Sequence, residues 1–514
     1  MTRAIGLSFI ALLLASAYAG DQPQWGQRHS RNMVSDEKGL PDTFDPKTGK
    51  NVKWSVPLGS ETWSTPVVAG GRVFIGTNNN RPRDPRHQGD RGVLLCLDEK
   101  DGSLVWQLVV PKLTGDPPDM YLDWPNTGLC SPPTVEGDRV YVLTNRYEVA
   151  CLDIHGLANG NDGPYQDEAK HMVPAGAPPL SLGKTDADIL WLFDLVSGVG
   201  IHPHDSAHAS ILIQGDLLYL NSSNGQDNTH HKIRAVDAPS LVVLGKATGR
   251  LVAKDAERIG PRIVHSTWAS PSLGEVGGRP LVFFGGGDGV CYAFEALATA
   301  PPEGQVATLK KVWSFDCDPA GPKEDIHRYM GNRKVSASNI KGMPVFHNGR
   351  VYVAAGGDIW WGKEEAWLKC IDASRAPGAG DGSGDITKTG EVWSYPLRRH
   401  CCSTPAIWNG LLFIADCGRT VHCLDAETGK PHWTHETKGE IWGSPLVADG
   451  KVYIGTRHGD FWVLAADKEK RVLGEVEVGS MPGTAVAANG TLYVPTMTRL
   501  FAVQRIEGSS PDAK

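Results

Sequence analysis

Cys401 and Cys402 are adjacent and stand immediately before the run Ser403-Thr404-Pro405. Neighbouring cysteines form a disulfide only in a strained ring. The pair is therefore either a strained bridge or two separate thiols, one buried and one near Cys417. His202, His204, Asp205 and His208 form a dense group, and His230, His231 and His265 lie further along the chain. Such a group either binds a transition metal through imidazole nitrogens or forms a polar loop. Asn224 and Asp227 in NSSNGQDNTHH, Asp288 in GGGDG and Asp358 in GGDIWWG supply oxygen atoms of the kind that bind Ca²⁺. The Asp288-Gly289 pair reads equally as a turn. Trp360 and Trp361 follow Asp358 directly and add two large aromatic rings.

A repeat must position these groups. Pro405 and Pro445 are 40 residues apart, as are Gly410, Gly450 and Gly490 in succession. The same unit recurs around Pro66, Pro132, Ser210, Pro271, Pro344, Pro405, Pro445 and Ala485, which makes eight modules. Each reads as four short strands: a β-branched run, a Gly-containing turn, an alternating R/K-V-Y/F-I run, a loop, the sequence x-C-L-D, a second turn and a strand ending in tryptophan. Those tryptophans are Trp54, Trp106, Trp191, Trp313, Trp393 and Trp433. A period near 40 residues with four strands per unit predicts an all-β fold, an eight-bladed β-propeller of four-stranded antiparallel blades. The last module stops after Leu500–Val503, one strand short, and strand 52–56 has no blade before it. The N-terminal strand is expected to close the ring and remove its open edge.

Blade topology sorts the loops onto two faces. The position three residues before the module anchor holds Trp63, Trp268, Trp442 and Cys402 and lies at the inner mouth of the ring. The tryptophans there either pack blade against blade or form an aromatic rim around a ligand funnel. The segments 155–188 and 374–389 read as exposed loops.

The chain has 514 residues with 60 Gly and 35 Pro, about 18% together against a usual share near 12%, which excludes long helical bundles. With 40% hydrophobic residues it can bury a core. The formal net charge is −7, and without a basic stripe a nucleic-acid partner is not expected. Arg3, the apolar run Ile5–Ala15 and Ala17-Tyr18-Ala19 read as a signal peptide over 1–19, too short to span a bilayer. The organisation expected is this leader, an N-terminal extension at 20–50, the propeller at 51–505 and a disordered tail at 506–514. The mature protein is expected to be exported, periplasmic or extracellular, without a membrane span and monomeric. Cys96, Cys151, Cys291, Cys370 and Cys423 share one repeat position and read as small buried hydrophobes, not as a disulfide framework.

The motif x-L-D-x-x-T-G-x-x-x-W is complete at Cys423–Trp433 and nearly so at Cys96–Trp106. It resembles the repeat of pyrroloquinoline quinone (PQQ) enzymes and their non-enzymatic relatives, over roughly residues 51–505. The stretches His202-Pro203-His204, Asn221–Gly225, Ala238-Pro239-Ser240 and His265–Pro271 are similar to exported PQQ-like propellers of environmental bacteria. The resemblance implies a ligand- or protein-binding propeller of the cell envelope, its partner an unknown small molecule or envelope protein. It also implies two alternatives: a PQQ- and calcium-dependent dehydrogenase oxidising an alcohol or sugar, and an outer-membrane assembly scaffold like BamB. In the dehydrogenase reading Cys401-Cys402 would stack on the cofactor, with Asn224, Asp227, Asp288 and Asp358 as metal candidates. Trp63, Trp268, Trp442, Trp360, Trp361, His204 and His265 would be ligand-binding candidates. The carboxylates that such dehydrogenases use as base and calcium ligand have no residue-by-residue match. No C-x-x-C-H, G-x-S-x-G or Walker A sequence is present, so haem attachment, that serine chemistry and P-loop phosphate binding are not indicated.

Overall fold

The computed structural model describes residues 20–375 and 384–506. The expected leader, the expected tail beyond 506 and the middle of the 374–389 insertion lie outside the described residues. Among the described residues the strands form eight sheets, one per blade. Blade one consists of Val67–Ala69, Arg72–Asn78, Arg91–Asp98 and Leu104–Pro111, each antiparallel to the one before. The innermost strands turn into their neighbours through two-residue loops such as Asn348-Gly349, Asn409-Gly410, Asp449-Gly450 and Asn489-Gly490. All eight of those residues have positive φ. That geometry matches the right-handed twist of the flanking strands, and Asn-Gly and Asp-Gly adopt it at little cost.

The ring closes as the incomplete last module requires. Blade eight takes Val486–Ala488, Thr491–Pro495 and Arg499–Val503 from the C-terminal end, and Val52–Pro57 as its outer strand. Trp54 pairs with Ala502 and Val56 with Leu500.

The repeated tryptophans join blade to blade. Each donates its indole N–H to a carbonyl in the next blade's turn between strands three and four. Trp54 reaches Glu99 at 3.0 Å, Trp106 Ile154 at 2.8 Å, Trp191 Lys246 at 3.2 Å, Trp313 Ala373 at 3.1 Å, Trp393 Ala426 at 3.3 Å and Trp433 Asp467 at 2.8 Å. The glycine of the T-G turn lies under the ring. A Cβ on Gly429 would sit 2.5 Å from Trp393, and one on Gly249 2.3 Å from Trp191. The glycine in the repeat motif thus serves both a left-handed turn and close packing of the preceding blade's indole.

Residues 22–35 thread the ring along its axis and touch every blade. The N–H groups of Val68, Val135, Leu273, Phe346 and Val447 donate to the carbonyls of Gln22, Pro23, His29, Ser30 and Met33. Asn32 exchanges two 2.8 Å hydrogen bonds with the Ile407 backbone, and Ser35 donates to Ala487 O. Arg31, fully buried, donates to Ser210 O at 2.8 Å, Ser210 Oγ at 2.9 Å and Pro271 O at 3.0 Å. The extension supplies partners for first-strand backbone groups that face the axis and have no neighbouring strand there.

The described parts of the insertions are mostly exposed, as expected of their composition, and are anchored at a few buried positions. In 155–188, Glu168, Met172, Asp186 and Ala187 are buried, and Asp186 bridges in parallel to Gln107 on the outer strand of blade one. Asp385 bridges likewise to Ser314, and Ile386 is buried. A few apolar residues among the turn formers are enough to cover an outer edge.

Candidate functional site

Three blade-to-blade connections and two loops between second and third strands converge at the mouth of the ring. His204 and Asp205 come from the connection into blade three, His230 from that blade's loop, and His265 and Trp268 from the connection into blade four. Asn339 and Lys341 come from the connection into blade five, and Asp358, Trp360 and Trp361 from its loop. His204 Nε2 and His230 Nε2 are 3.2 Å apart. Asp205 reaches His204 Nε2 with Oδ1 at 3.3 Å and His265 Nε2 with Oδ2 at 3.2 Å. The other nitrogen of His265, Nδ1, lies 3.2 Å from Asp358 Oδ2.

Asp358 is fully buried and heavily satisfied. Its Oδ2 accepts from Lys341 Nζ at 2.8 Å and Asn339 Nδ2 at 3.2 Å, and its Oδ1 from the N–H groups of Trp360 and Trp361 at 3.0 Å each. Burial alone would raise its pKa, but Lys341 and His265 outweigh that and hold it well below the usual carboxylate range. Burial disfavours charge on His265 too, yet Asp358 and Asp205 raise it to about 9. His204, dominated by burial and next to two other imidazoles, falls to about 3. Two imidazoles a few ångströms apart are thus pushed in opposite directions, as at sites where burial and specific charges are set against each other.

Aromatic rings cross the mouth beside this centre. Trp63 lies 5.8 Å from Trp442, Trp442 5.7 Å from Trp360, and Trp360 6.1 Å from Trp268 and 5.2 Å from His265, centroid to centroid. Trp361 lies 5.0 Å from His230. Arg457 covers Trp442 at 4.0 Å and Lys341 covers Trp268 at 5.2 Å, both within cation–π range. On the other flank Tyr121 and Trp124 pack together at 5.2 Å. Their loop is tied to the histidines: the Tyr121 N–H donates to Asn228 Oδ1 at 3.2 Å and the Trp124 N–H to the Asp205 carbonyl.

The remaining sequence candidates sit apart from this centre or have their own partners. Asn224 Oδ1 accepts the His202 N–H and its amide donates to Ala235 O. Asp227 pairs with Arg234 Nε at 2.9 Å. Asp288 pairs with Arg262 at 3.0 Å and accepts from Tyr292 Oη at 2.7 Å. All ten cysteines are free thiols. Cys401 points into the packed layer between blades five and six, its Sγ 3.1 Å from Ala415 O. Cys402 faces the other way, hydrogen-bonded to Cys417 and within the fields of Lys341 and Arg457, and its pKa is lowered. Adjacent residues of an extended segment point to opposite sides, which separates the two thiols.

The sequence offered Asp205 and His230 only as parts of a His/Asp group, and it did not single out Asn339 and Lys341. Lys341 had a signal: it stands three residues before Pro344, the repeated place that Trp63, Trp268, Cys402 and Trp442 fill in other modules.

Comparison with known proteins agrees with the fold. The family profile described as outer membrane protein assembly factor BamB matches residues 42–292 and 385–511. The dehydrogenase subunit of a quinone alcohol dehydrogenase from Gluconobacter oxydans (strain 621H) is 26% identical over 179 residues, 30% of this chain and 18% of that protein. Quinohemoprotein alcohol dehydrogenase ADH IIB of Pseudomonas putida is 25% identical over 169 residues, 26% of this chain and 21% of that protein. The matches thus span about a fifth of those curated relatives. Among solved structures, BamB from Moraxella catarrhalis superposes with a TM-score of 0.50 at 12% identity, over 89% of this chain and 98% of that one. Quinohemoprotein alcohol dehydrogenase from Comamonas testosteroni superposes with a TM-score of 0.55 at 12% identity, over 97% of this chain and 82% of that one. At those identities the likeness is one of fold. With the repeat, the closed eight-bladed ring and a profile match over more than half its length, this chain belongs to the PQQ-like β-propeller family that includes BamB.

Proposed function

We propose that the protein is an exported member of this family, working in the cell envelope, that binds a small planar ligand at the mouth of the ring. One observation carries the reading. Tyr121, Trp124, Trp360 and Trp361 are 38%, 44%, 42% and 36% exposed, and they flank a buried, charge-balanced centre on one face. Exposed aromatic surface around fixed polar groups is the usual make-up of a binding site. The indoles would stack on the ligand, and the histidine–carboxylate centre would fix its polar end.

A calcium-bound PQQ, the cofactor of the dehydrogenase reading, does not fit these residues. Ca²⁺ takes six to eight oxygen ligands. Here Asp358 is bound by Lys341 and His265, Asp227 by Arg234 and Asp288 by Arg262. The cysteines offer no disulfide platform. A scaffold role like that of BamB rests on the family match alone, and the same exposed face would then receive a protein.

The test is fluorescence titration of the protein with a panel of planar aromatic acids, PQQ among them, with and without Ca²⁺. Binding should saturate and should weaken in Trp361→Ala and Trp360→Ala, with no dye-linked alcohol oxidation. Saturable binding that ignores both substitutions would remove the mouth as the site. Oxidation that depends on PQQ and Ca²⁺ would restore the dehydrogenase reading.

A further inference from the structure

We infer that His204, His230, His265 and Asp205 form a binding site for one divalent first-row transition metal ion, with Zn²⁺ the best match to the ligand set. The inference deepens the reading of the mouth as the functional site and rests on it. Tetrahedral coordination at Zn–N and Zn–O distances of about 2.0–2.2 Å puts neighbouring ligand atoms about 3.3 Å apart. Two spacings that share a single ligand atom each have that value, His204 Nε2 to His230 Nε2 at 3.2 Å and Asp205 Oδ1 to His204 Nε2 at 3.3 Å, and the other Asp205 oxygen lies 3.2 Å from His265 Nε2. One ligand nitrogen from each of the three imidazoles lies within 4.8 Å of the other two.

The buried groups converge on one point as ligands around an ion would. His265 is 2% exposed, and its Nε2 faces the Asp205 carboxylate at 3.2 Å without the alignment of a well-formed hydrogen bond. A metal ion between them would displace the Nε2 proton, which leaves to solvent, and would use the freed lone pair and that carboxylate together. The outer shell is built as metal sites require. His265 Nδ1 is held by Asp358, a carboxylate–histidine pair that fixes which nitrogen faces inward. Asp358 is in turn fixed by Lys341, Asn339 and two backbone N–H groups. Two of the four ligands, Asp205 and His230, have φ of +64° and +59°, a conformation uncommon in non-glycine residues that aims their side chains into the cluster.

The ligand chemistry selects the ion. Imidazole suits Zn²⁺, Cu²⁺ and Ni²⁺, whereas Ca²⁺ and Mg²⁺ prefer oxygen alone. A second group with metal-ligand spacing, Asp84, His87 and Asp186, is different: Arg86 lies between its two carboxylates and neutralises them.

The test is calorimetric titration of the EDTA-treated, full-length protein with ZnCl₂, paired with the visible spectrum after CoCl₂ addition. One equivalent of Zn²⁺ should bind, and Co²⁺ should give the intense visible bands of tetrahedral coordination. His204→Ala and His230→Ala should each weaken Zn²⁺ binding by at least about tenfold, the lower bound for loss of even an outer-shell partner. Asp358→Asn should weaken it by about 10- to 100-fold. His231→Ala, which changes an exposed neighbour outside the cluster, should bind as the parent does. Circular dichroism of each variant separates loss of ligand from loss of fold, and the Co²⁺ spectrum of the parent needs no variant. No bound equivalent, a six-coordinate Co²⁺ spectrum or unchanged affinity in folded His204→Ala would overturn the inference. Zn²⁺ binding without capture of any organic ligand would leave the metal site standing and remove the planar-ligand reading. Organic ligand capture without Zn²⁺ binding would do the reverse.

Discussion

Trp106→Ala tests whether the indole–turn contact is what holds one blade to the next. Trp106 is fully buried, lies 5.9 Å from Phe74 and donates to Ile154 O in blade two at 2.8 Å. Its ring lies over Gly156, where a Cβ would be 2.8 Å away. An indole buries about 150–250 Å², which at about 25 cal/mol per Å² is roughly 4–6 kcal/mol as an upper bound. Truncation also leaves the Ile154 carbonyl without its donor, at about 1–3 kcal/mol if no water reaches it. Large aromatic truncations cost about 3–5 kcal/mol in practice, so the expected loss is at the top of that range. Trp106→Phe keeps one six-membered ring and loses the pyrrole part with its N–H, and a smaller loss of about 1–3 kcal/mol is expected. Urea unfolding gives the global cost. Hydrogen exchange shows where it falls, because in a repeat architecture each unit contacts mainly its neighbours. Exchange should rise in Leu104–Pro111 and Glu148–Asp153, while Glu391–Leu397 in blade five stays protected. A loss below about 1 kcal/mol for Trp106→Ala, or equal losses for Ala and Phe, would refute the reasoning.

Three other outcomes are expected. Asp188 is buried, its Oδ1 has no partner, and burial together with Glu168 and Asp153 raises it from 3.8 to about 6. The folded chain then holds a proton that the unfolded chain releases, so this group's stabilising contribution is present below pH 3.8 and lost as pH rises to about 6. Asp188→Asn should flatten that slope and gain about 2–3 kcal/mol at pH 7 by urea unfolding; an unchanged pH profile would count against it. Cys402, half-buried with a lowered pKa, should be alkylated by iodoacetamide before the nine other, buried thiols; mass spectrometry finding Cys401 labelled first would contradict its placement. Removing residues 20–38 while keeping the closing strand should lower the midpoint of thermal unfolding, since the segment's hydrogen bonds to the first strands are worth about 0.5–1.5 kcal/mol each; an unchanged midpoint would show that the axial segment does not hold the blades.

The repeat was legible without coordinates because its causes are local. Period-two alternation makes the strands, Asn-Gly and Asp-Gly make the turns, and a 40-residue recurrence counts the blades. The missing strand after Val503 and the surplus one at Val52–Pro57 revealed the closure, because an unpaired edge must find a partner. The six latch tryptophans were visible too, but not their acceptors, which belong to the next blade and only meet them when the ring forms. The functional centre was legible in its types and not in its membership. His204, His230, His265 and Asp358 span 155 residues of sequence, and only ring closure brings the loops that carry them to one mouth. The adjacent cysteines show the converse: neighbours in sequence, they are parted by the pleat of the chain. The axial segment at 22–35 has no repeat pattern because each part of it meets a different blade, by backbone bonds from five first strands and by the side chains of Arg31, Asn32 and Ser35 elsewhere. Its role follows from the unpaired backbone of those strands, a demand that exists only in the assembled propeller.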